Sequence, residues 1–153
     1  MQNARVSEQH ALFTRPLLLI VLVGCVAVLI VDAGGALISR EANIPYGYFA
    51  LISFVVYCAI GTFACSRGSI ASSATAGLLV ALFDVSVGWW IAWQIGPGRT
   101  EIPPGVPGQT LLFLSGMFSV SLDTTLATAA GAIYNRSRAR RQKIERTDEA
   151  SIS

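Results

Sequence analysis

Hydrophobic residues along this chain are gathered into four long stretches, separated by short polar or proline-rich segments. The stretches cover residues 16–39, 47–66, 69–94 and 109–134. A helix needs about 20 apolar residues to cross a bilayer core of ~30 Å, so each stretch is long enough to span a membrane. The pattern therefore predicts an all-α membrane protein with four transmembrane helices in one bundle.

The connections between these stretches indicate how neighbouring helices run. Only Arg67 and Gly68 separate the second stretch from the third. Short connections between helices favour antiparallel neighbours. We therefore expect an antiparallel four-helix domain over residues 16–134, preceded by an N-terminal segment (1–15) and followed by a polar tail (135–153).

Basic residues are divided unequally between the two ends of this predicted bundle. Nine of the eleven Lys and Arg residues fall at the end that carries both termini, whereas Arg40 and Arg99 fall at the other end. Lys and Arg are enriched in the cytoplasmic segments of membrane proteins, so this bias places both termini in the cytoplasm. The sequence thus predicts a multi-pass protein of the plasma (inner) membrane, with the connection 95–108 outside.

Composition and motifs narrow the function class. Charged residues make up 13% of the chain, against about 25% in soluble domains. The three cysteines lie within predicted spans and match no zinc or haem spacing, and the one histidine is His10. Zinc-protease, serine-hydrolase and nucleotide-binding motifs are absent from the sequence. We therefore expect no enzyme activity, no cofactor and no metal site.

Three aspartates interrupt the apolar stretches: Asp32 in the first, Asp84 in the third and Asp123 in the fourth. An acid at membrane depth costs about 2.5–3.5 kcal/mol on insertion scales and marks a functional site by default. A helix rises about 1.5 Å per residue, which puts Asp84 and Asp123 at nearly the same depth and Asp32 closer to the outer surface. With Thr124 beside Asp123, these residues form a candidate intramembrane polar site.

Small residues recur at three- and four-residue steps around these acids, so each acid shares a helix face with them. Small side chains allow helices to approach closely in a membrane. The predicted helix-packing residues are Gly77, Ala81, Gly88, Ser119, Ala127 and Gly131. We expect these faces to meet other helices, which would place the acids inside the bundle.

Two functions are compatible with buried acids in spans that contain no Lys or Arg. In the first, protonated acids form hydrogen bonds between helices, and the protein acts non-enzymatically through helix packing or partners. The alternative is a proton- or cation-coupled transporter or channel subunit that uses Asp84 and Asp123. A shared proton or a bound cation would relieve the repulsion between two neighbouring carboxylates.

The remaining segments predict contacts with the surroundings. Aromatic residues near the outer surface, Tyr46 and Trp89 among them, are expected to form an interfacial belt. The basic residues after the last span are Arg136, Arg138, Arg140, Arg141 and Lys143. Each basic side chain near anionic lipid contributes about 1 kcal/mol, so we expect the basic part to continue the helix and contact lipid headgroups.

The tail, the proline-rich connection and the number of spans bear on other partners. Aromatic or groove-reading elements are absent from the tail, so no nucleic-acid partner is expected. The connection 95–108 holds four of the six prolines and serves as a connector or an extracytoplasmic partner-binding loop. Four short spans enclose little interior, so a pore would need a homo-oligomer.

Overall fold

The computed structural model describes residues 15–96 and 108–152, and every regular element in these ranges is helical. The helices are α1 (Arg15–Ala42), α2 (Ala50–Arg67), α3 (Ile70–Phe83), α4 (Trp89–Ile95) and α5 (Gly108–Ile152). A 3₁₀ helix, Tyr46–Phe49, leads into α2, and a π-helical segment, Asp84–Gly88, joins α3 to α4. The predicted N-terminal segment, except Arg15, and most of the proline-rich connection lie outside the described residues.

Four helical units are long and apolar enough to cross a membrane. We number them as span 1 (Arg15–Ala42), span 2 (Tyr46–Arg67), span 3 (Ile70–Ile95) and span 4 (Thr110–Glu145). Each predicted apolar stretch coincides with one of these units. The prediction of an all-helical fold with four potential membrane spans is therefore confirmed.

The outer surface of the spans is apolar, which suits a lipid environment. On span 1, Leu19, Val23 and Ile30 are each more than 60% exposed. Phe63 on span 2 and Phe113 on span 4 are exposed to a similar degree. Burial of apolar surface is worth about 25 cal/mol per Å², so a surface of this kind is unfavourable in water and favourable against lipid.

Spans 2 and 3 form the centre of the bundle. Span 1 packs on both of them, and so does span 4, while the described residues of spans 1 and 4 do not contact each other. The core between the first three spans contains Val28, Tyr57, Ile60 and Val80, all buried. Two central helices flanked by two outer ones leave spans 1 and 4 on opposite sides of the central pair.

A short turn joins the two central spans. The Ser69 side chain accepts a hydrogen bond from the Ser72 amide, and the Ser72 side chain accepts one from the Ser69 amide. This reciprocal capping box satisfies amide groups that the first turn of a helix leaves free. The sequence Gly68-Ser69 therefore ends α2 and starts α3 within two residues. We call this end of the bundle the Arg67 end, and the opposite end the Tyr46 end.

Helix α5 continues without a break beyond Tyr134 to Ile152. Its residues 135–145 are exposed. The basic part of the tail thus extends span 4 as a helix, as the sequence predicts. The four Arg residues of this part, Arg136, Arg138, Arg140 and Arg141, lie on this exposed extension.

Candidate functional site

Asp84 lies at the centre of the polar groups inside the bundle. It is the first residue of the π-helical segment Asp84–Gly88, and it is only 7% exposed. Such a segment accommodates one additional residue in an α-helix and is frequent at functional sites. Sequence analysis missed it, because the local residues Val85, Ser86 and Val87 carry no signal for a π-helix.

Tyr57 holds one oxygen of Asp84. The Tyr57 hydroxyl, on span 2, donates a hydrogen bond of 2.9 Å to Oδ2 of Asp84, and the Tyr57 side chain is fully buried. The other oxygen, Oδ1, is buried without a hydrogen-bond partner among the described residues. Asp84 is therefore oriented by span 2 and keeps one carboxyl oxygen available.

Tyr46 holds Asp32 in a similar way. The Tyr46 hydroxyl donates a hydrogen bond of 3.2 Å to Oδ1 of Asp32. Asn43 ends α1 in a left-handed conformation with φ 54°, which Asn tolerates better than most residues. The chain then turns through Pro45 into the 3₁₀ helix that carries Tyr46. Oδ2 of Asp32 is buried without a partner in the described part of the chain.

The two unpartnered oxygens meet above Gly88. A Cβ atom at Gly88 would lie against Oδ2 of Asp32 and 2.7 Å from Oδ1 of Asp84. The two oxygens therefore border the same small space, which the missing side chain of Gly88 leaves open. A pair of ionised carboxylates at this separation is unfavourable, whereas one proton held between them makes one group a donor to the other. The geometry thus favours one proton or one cation on the Asp32–Asp84 pair.

All three acids line one cavity of about 300 Å³, which we call the acid cavity. Asp123, 6% exposed, reaches it from span 4. Neither Lys, Arg nor His is among the described residues that line the acid cavity. Its aromatic lining consists of Tyr46, Phe49, Phe54, Trp89 and Phe118.

The bundle is close-packed between the acid cavity and the Arg67 end. A Cβ atom at Gly61 would collide with the backbone oxygen of Ala127, so α2 and α5 are in backbone contact there. The Ser73 hydroxyl donates a hydrogen bond of 2.7 Å to the Gly61 carbonyl, and Gly131 lies against Ser73. None of these residues lines the acid cavity, so the cavity occupies only the part of the bundle nearer the Tyr46 end.

The predicted site residues take up different environments. The close carboxyl neighbour of Asp84 is Asp32, although the depth argument pairs Asp84 with Asp123. The Thr124 side-chain oxygen is buried without a hydrogen-bond partner among the described residues. Ser119 lines the acid cavity, and Gly88 lies where Asp32 of span 1 meets Asp84 of span 3.

The other predicted packing residues lie between spans. Ala81 and Ala127 are fully buried. A Cβ atom at Gly77 would come within 2.6 Å of the Ala127 Cβ, which shows that α3 and α5 are close at this point. Gly131 completes the contact beside Gly61 and Ser73.

Two residues that shape the site have roles that the sequence does not predict. Tyr46 was expected in the interfacial belt, yet it donates to Asp32. Gly61 lies on a span without an acid, where it permits the contact of α2 with α5. A glycine in the middle of an apolar span was the one available signal for Gly61.

Comparison with known proteins identifies no relative: no family model matches the chain, and neither a curated protein nor a solved structure is significantly similar to it. Within residues 15–96 and 108–152, no group of three or more His, Cys, Asp or Glu side chains is arranged to hold a metal ion. The interpretation of the site therefore rests on the geometry of its own side chains.

Proposed function

We propose that this chain is a multi-pass protein of the plasma (inner) membrane that moves protons, or cations in exchange for protons, through the acid cavity. The observation that carries the proposal is the meeting of two unpartnered carboxyl oxygens, from Asp32 and Asp84, above Gly88. A pair of this kind binds one positive charge and can release it. Asp123, which faces the same cavity, supplies a further position for that charge.

Energetics favour this role over a purely structural one. An acid at membrane depth costs about 2.5–3.5 kcal/mol on insertion scales. An interhelical hydrogen bond stabilises a membrane protein by only about 0.6 kcal/mol on average. Three acids face one cavity, and its described lining residues include no basic side chain. The insertion cost of these acids therefore exceeds the stabilisation that they would provide as hydrogen-bonding links between helices. A role in binding and releasing positive charge gives these acids a function that offsets their cost.

An antiparallel bundle with both termini in the cytoplasm is part of this proposal. Residue numbers rise along span 3 while those of the span 4 residues beside them fall: Ser73 lies near Gly131, and Val85 near Gly116. The excess of Lys and Arg at the end with the termini supports the cytoplasmic orientation. In this orientation the acid cavity lies toward the outer surface, and the close-packed glycine contacts lie toward the cytoplasm.

The second candidate is a non-enzymatic protein that acts through helix packing or partners. The observation in its favour is the exposed helical extension of α5, which carries Arg136, Arg138, Arg140 and Arg141. These side chains suit contact with anionic lipid headgroups. The exposed apolar side chains of Phe113 and Met117 give span 4 a surface that a second copy of the chain can contact. Lipid contact and self-association are compatible with the transport role as well.

Proton movement by the purified protein tests the proposal. The chain is reconstituted in vesicles that contain a pH-sensitive dye, and a pH gradient is imposed together with a potassium diffusion potential. We expect proton flux from the unchanged protein and its loss in Asp32→Asn, Asp84→Asn and Asp123→Asn. Asparagine keeps the size and hydrogen-bonding capacity of aspartate but does not titrate.

The matched control is Glu41→Gln, which neutralises an acid whose side chain is 75% exposed beyond the acid cavity. This variant should retain full flux. Absence of flux from the unchanged protein under every gradient, or full flux in the Asp84→Asn variant, would reject the transport role and leave the second candidate.

A further inference from the structure

The walls of the acid cavity combine aromatic rings with acids. Its aromatic lining residues are Tyr46, Phe49, Phe54, Trp89 and Phe118. The face of an aromatic ring attracts a cation within about 6 Å of the ring centre, and the attraction is strongest where water is excluded. A ring also offers apolar surface to the hydrocarbon part of a ligand. The lining therefore suits a ligand that is both positively charged and apolar.

The size of the acid cavity points to a molecule and not to a bare ion. Its volume is about 300 Å³. Since a single water molecule needs only about 10–15 Å³ of such space, the cavity has room for many waters. This volume is at the lower end of the range of about 300–1,000 Å³ that is typical of small-molecule sites. A proton or a single metal ion would leave most of the space to water.

The charges that face the acid cavity select the sign of the ligand. Asp32, Asp84 and Asp123 line it, and its described lining residues include no basic side chain. Tyr57 on span 2 donates a hydrogen bond to Asp84. None of these groups becomes positive on titration, so none of them offers an anionic ligand an opposite charge.

From these observations we infer that the acid cavity binds a monovalent organic cation, an ammonium group on a small apolar body, in exchange for the proton of the Asp32–Asp84 pair. This inference rests on the proposed function and identifies the substrate class of the same site. The ammonium group takes the position between the carboxylates, and the apolar body lies against Trp89 and Phe49. One positive charge replaces another, so the net charge of the cavity is unchanged.

Calorimetry on the full chain in detergent micelles tests the inference with benzyltrimethylammonium. Its neutral isostere, neopentylbenzene, has a carbon in place of the nitrogen and provides the matched ligand control. We expect the ammonium compound to bind at least about tenfold more tightly, because its positive charge is attracted to the carboxylates, whereas the neutral isostere gains only apolar contacts. At a pH where the Asp32–Asp84 pair holds its proton, binding should release about one proton per ligand. This release is detected because the measured heat of binding then depends on the ionisation enthalpy of the buffer.

A pair of adjacent tryptophans provides the protein control. Trp89 lines the acid cavity, whereas Trp90 points outward and is 61% exposed. Trp89→Leu should weaken ammonium binding roughly fivefold or more, since a cation–π contact is lost. Trp90→Leu should leave the affinity unchanged, and Trp89→Phe should retain most of it. Thermal unfolding of each variant identifies any that fails to fold.

The outcomes separate the substrate class from the transport role. Equal affinity for the ammonium compound and its isostere, or no binding of either, would overturn the inference. Equal affinities of the Trp89→Leu and Trp90→Leu variants would also overturn it. Proton flux that depends on Asp84, without ammonium binding, would leave the proposed function standing and remove the organic cation. Ammonium binding without any proton flux, measured with benzyltrimethylammonium supplied on one side of the vesicle membrane, would support the ligand class and reject transport.

Discussion

At the scale of single residues, Gly88 determines how close the two acids come. The sequence predicts Gly88 as a helix-packing residue because it shares a face with other small side chains. In the structure the missing side chain leaves the space in which Oδ2 of Asp32 and Oδ1 of Asp84 meet. The backbone dihedrals of Gly88 are those of an ordinary right-handed helix, so its conformation does not require a glycine. A glycine is needed here because a side chain would block the close approach of the two acids.

Substitution of this glycine by alanine should disrupt the acid pair. In Gly88→Ala the new Cβ atom lies against Asp32 and 2.7 Å from Asp84, so one carboxyl group must move. Overpacking of this kind costs about 1–3 kcal/mol. We expect a lower midpoint of thermal unfolding in detergent and reduced proton flux. Gly34→Ala is the control, because a Cβ atom there meets nothing within 4 Å.

Alanine is also a better helix former than glycine, so the control variant should unfold at the same or a slightly higher temperature. A Gly88→Ala variant that matches Gly34→Ala in both stability and flux would show that the acids do not meet at this position.

At the scale of helices, the contact between α2 and α5 separates the acid cavity from the Arg67 end. Gly61 and Ala127 bring the two backbones together, and Ser73 on α3 bonds to the Gly61 carbonyl. Dense packing of this kind leaves no room for water or ions between the helices. A permeation path through the bundle would therefore have to open this contact.

Gly61→Ala should be more destabilising than Gly88→Ala. The added Cβ atom would collide with backbone atoms of Ala127, which cannot rotate away as a carboxyl side chain can. We expect the free energy of unfolding to fall by about 3 kcal/mol, the upper part of the usual range for overpacked sites. Unfolding of the purified protein by increasing SDS in mixed micelles provides the measurement. Stability equal to that of the Gly34→Ala control would contradict the close approach of α2 and α5.

At the scale of the whole molecule, two outer spans pack on two central ones, and the acids face the interior. Spans 1 and 4 each contribute an acid to the acid cavity without contacting each other in the described residues. The cavity therefore depends on spans 2 and 3 to bring both acids to it. Its proposed outward position depends on the orientation of the chain in the membrane.

Accessibility of introduced cysteines tests this orientation. The three native cysteines lie within the spans and are first replaced by alanine. In intact cells, Thr100→Cys should react with a membrane-impermeant maleimide added outside, and Ser151→Cys should react only after permeabilisation. The reason is the excess of basic residues at the end with the termini. The reverse labelling pattern would invert the proposed topology and turn the acid cavity toward the cytoplasm.

Local properties of the chain were sufficient to predict its helices. The lengths of the apolar stretches set the number of potential spans, because a bilayer crossing requires about 20 consecutive apolar residues whatever the rest of the fold. The serine cap at Ser69 and the basic continuation of α5 are likewise local features. Helical periodicity was also enough to place Asp84 and Asp123 on buried faces.

The partners of these residues depend on contacts between distant parts of the chain. Periodicity within one helix does not specify which helices adjoin or how each is rotated, so the pairing of Asp84 with Asp32 was not predicted. The π-helical segment adds to this, because one additional residue changes the rotation of everything after Asp84. Tyr46 and Gly61 acquire their roles in the same way. They act on Asp32 and Ala127, residues that lie far along the chain and become neighbours only when the four helices pack.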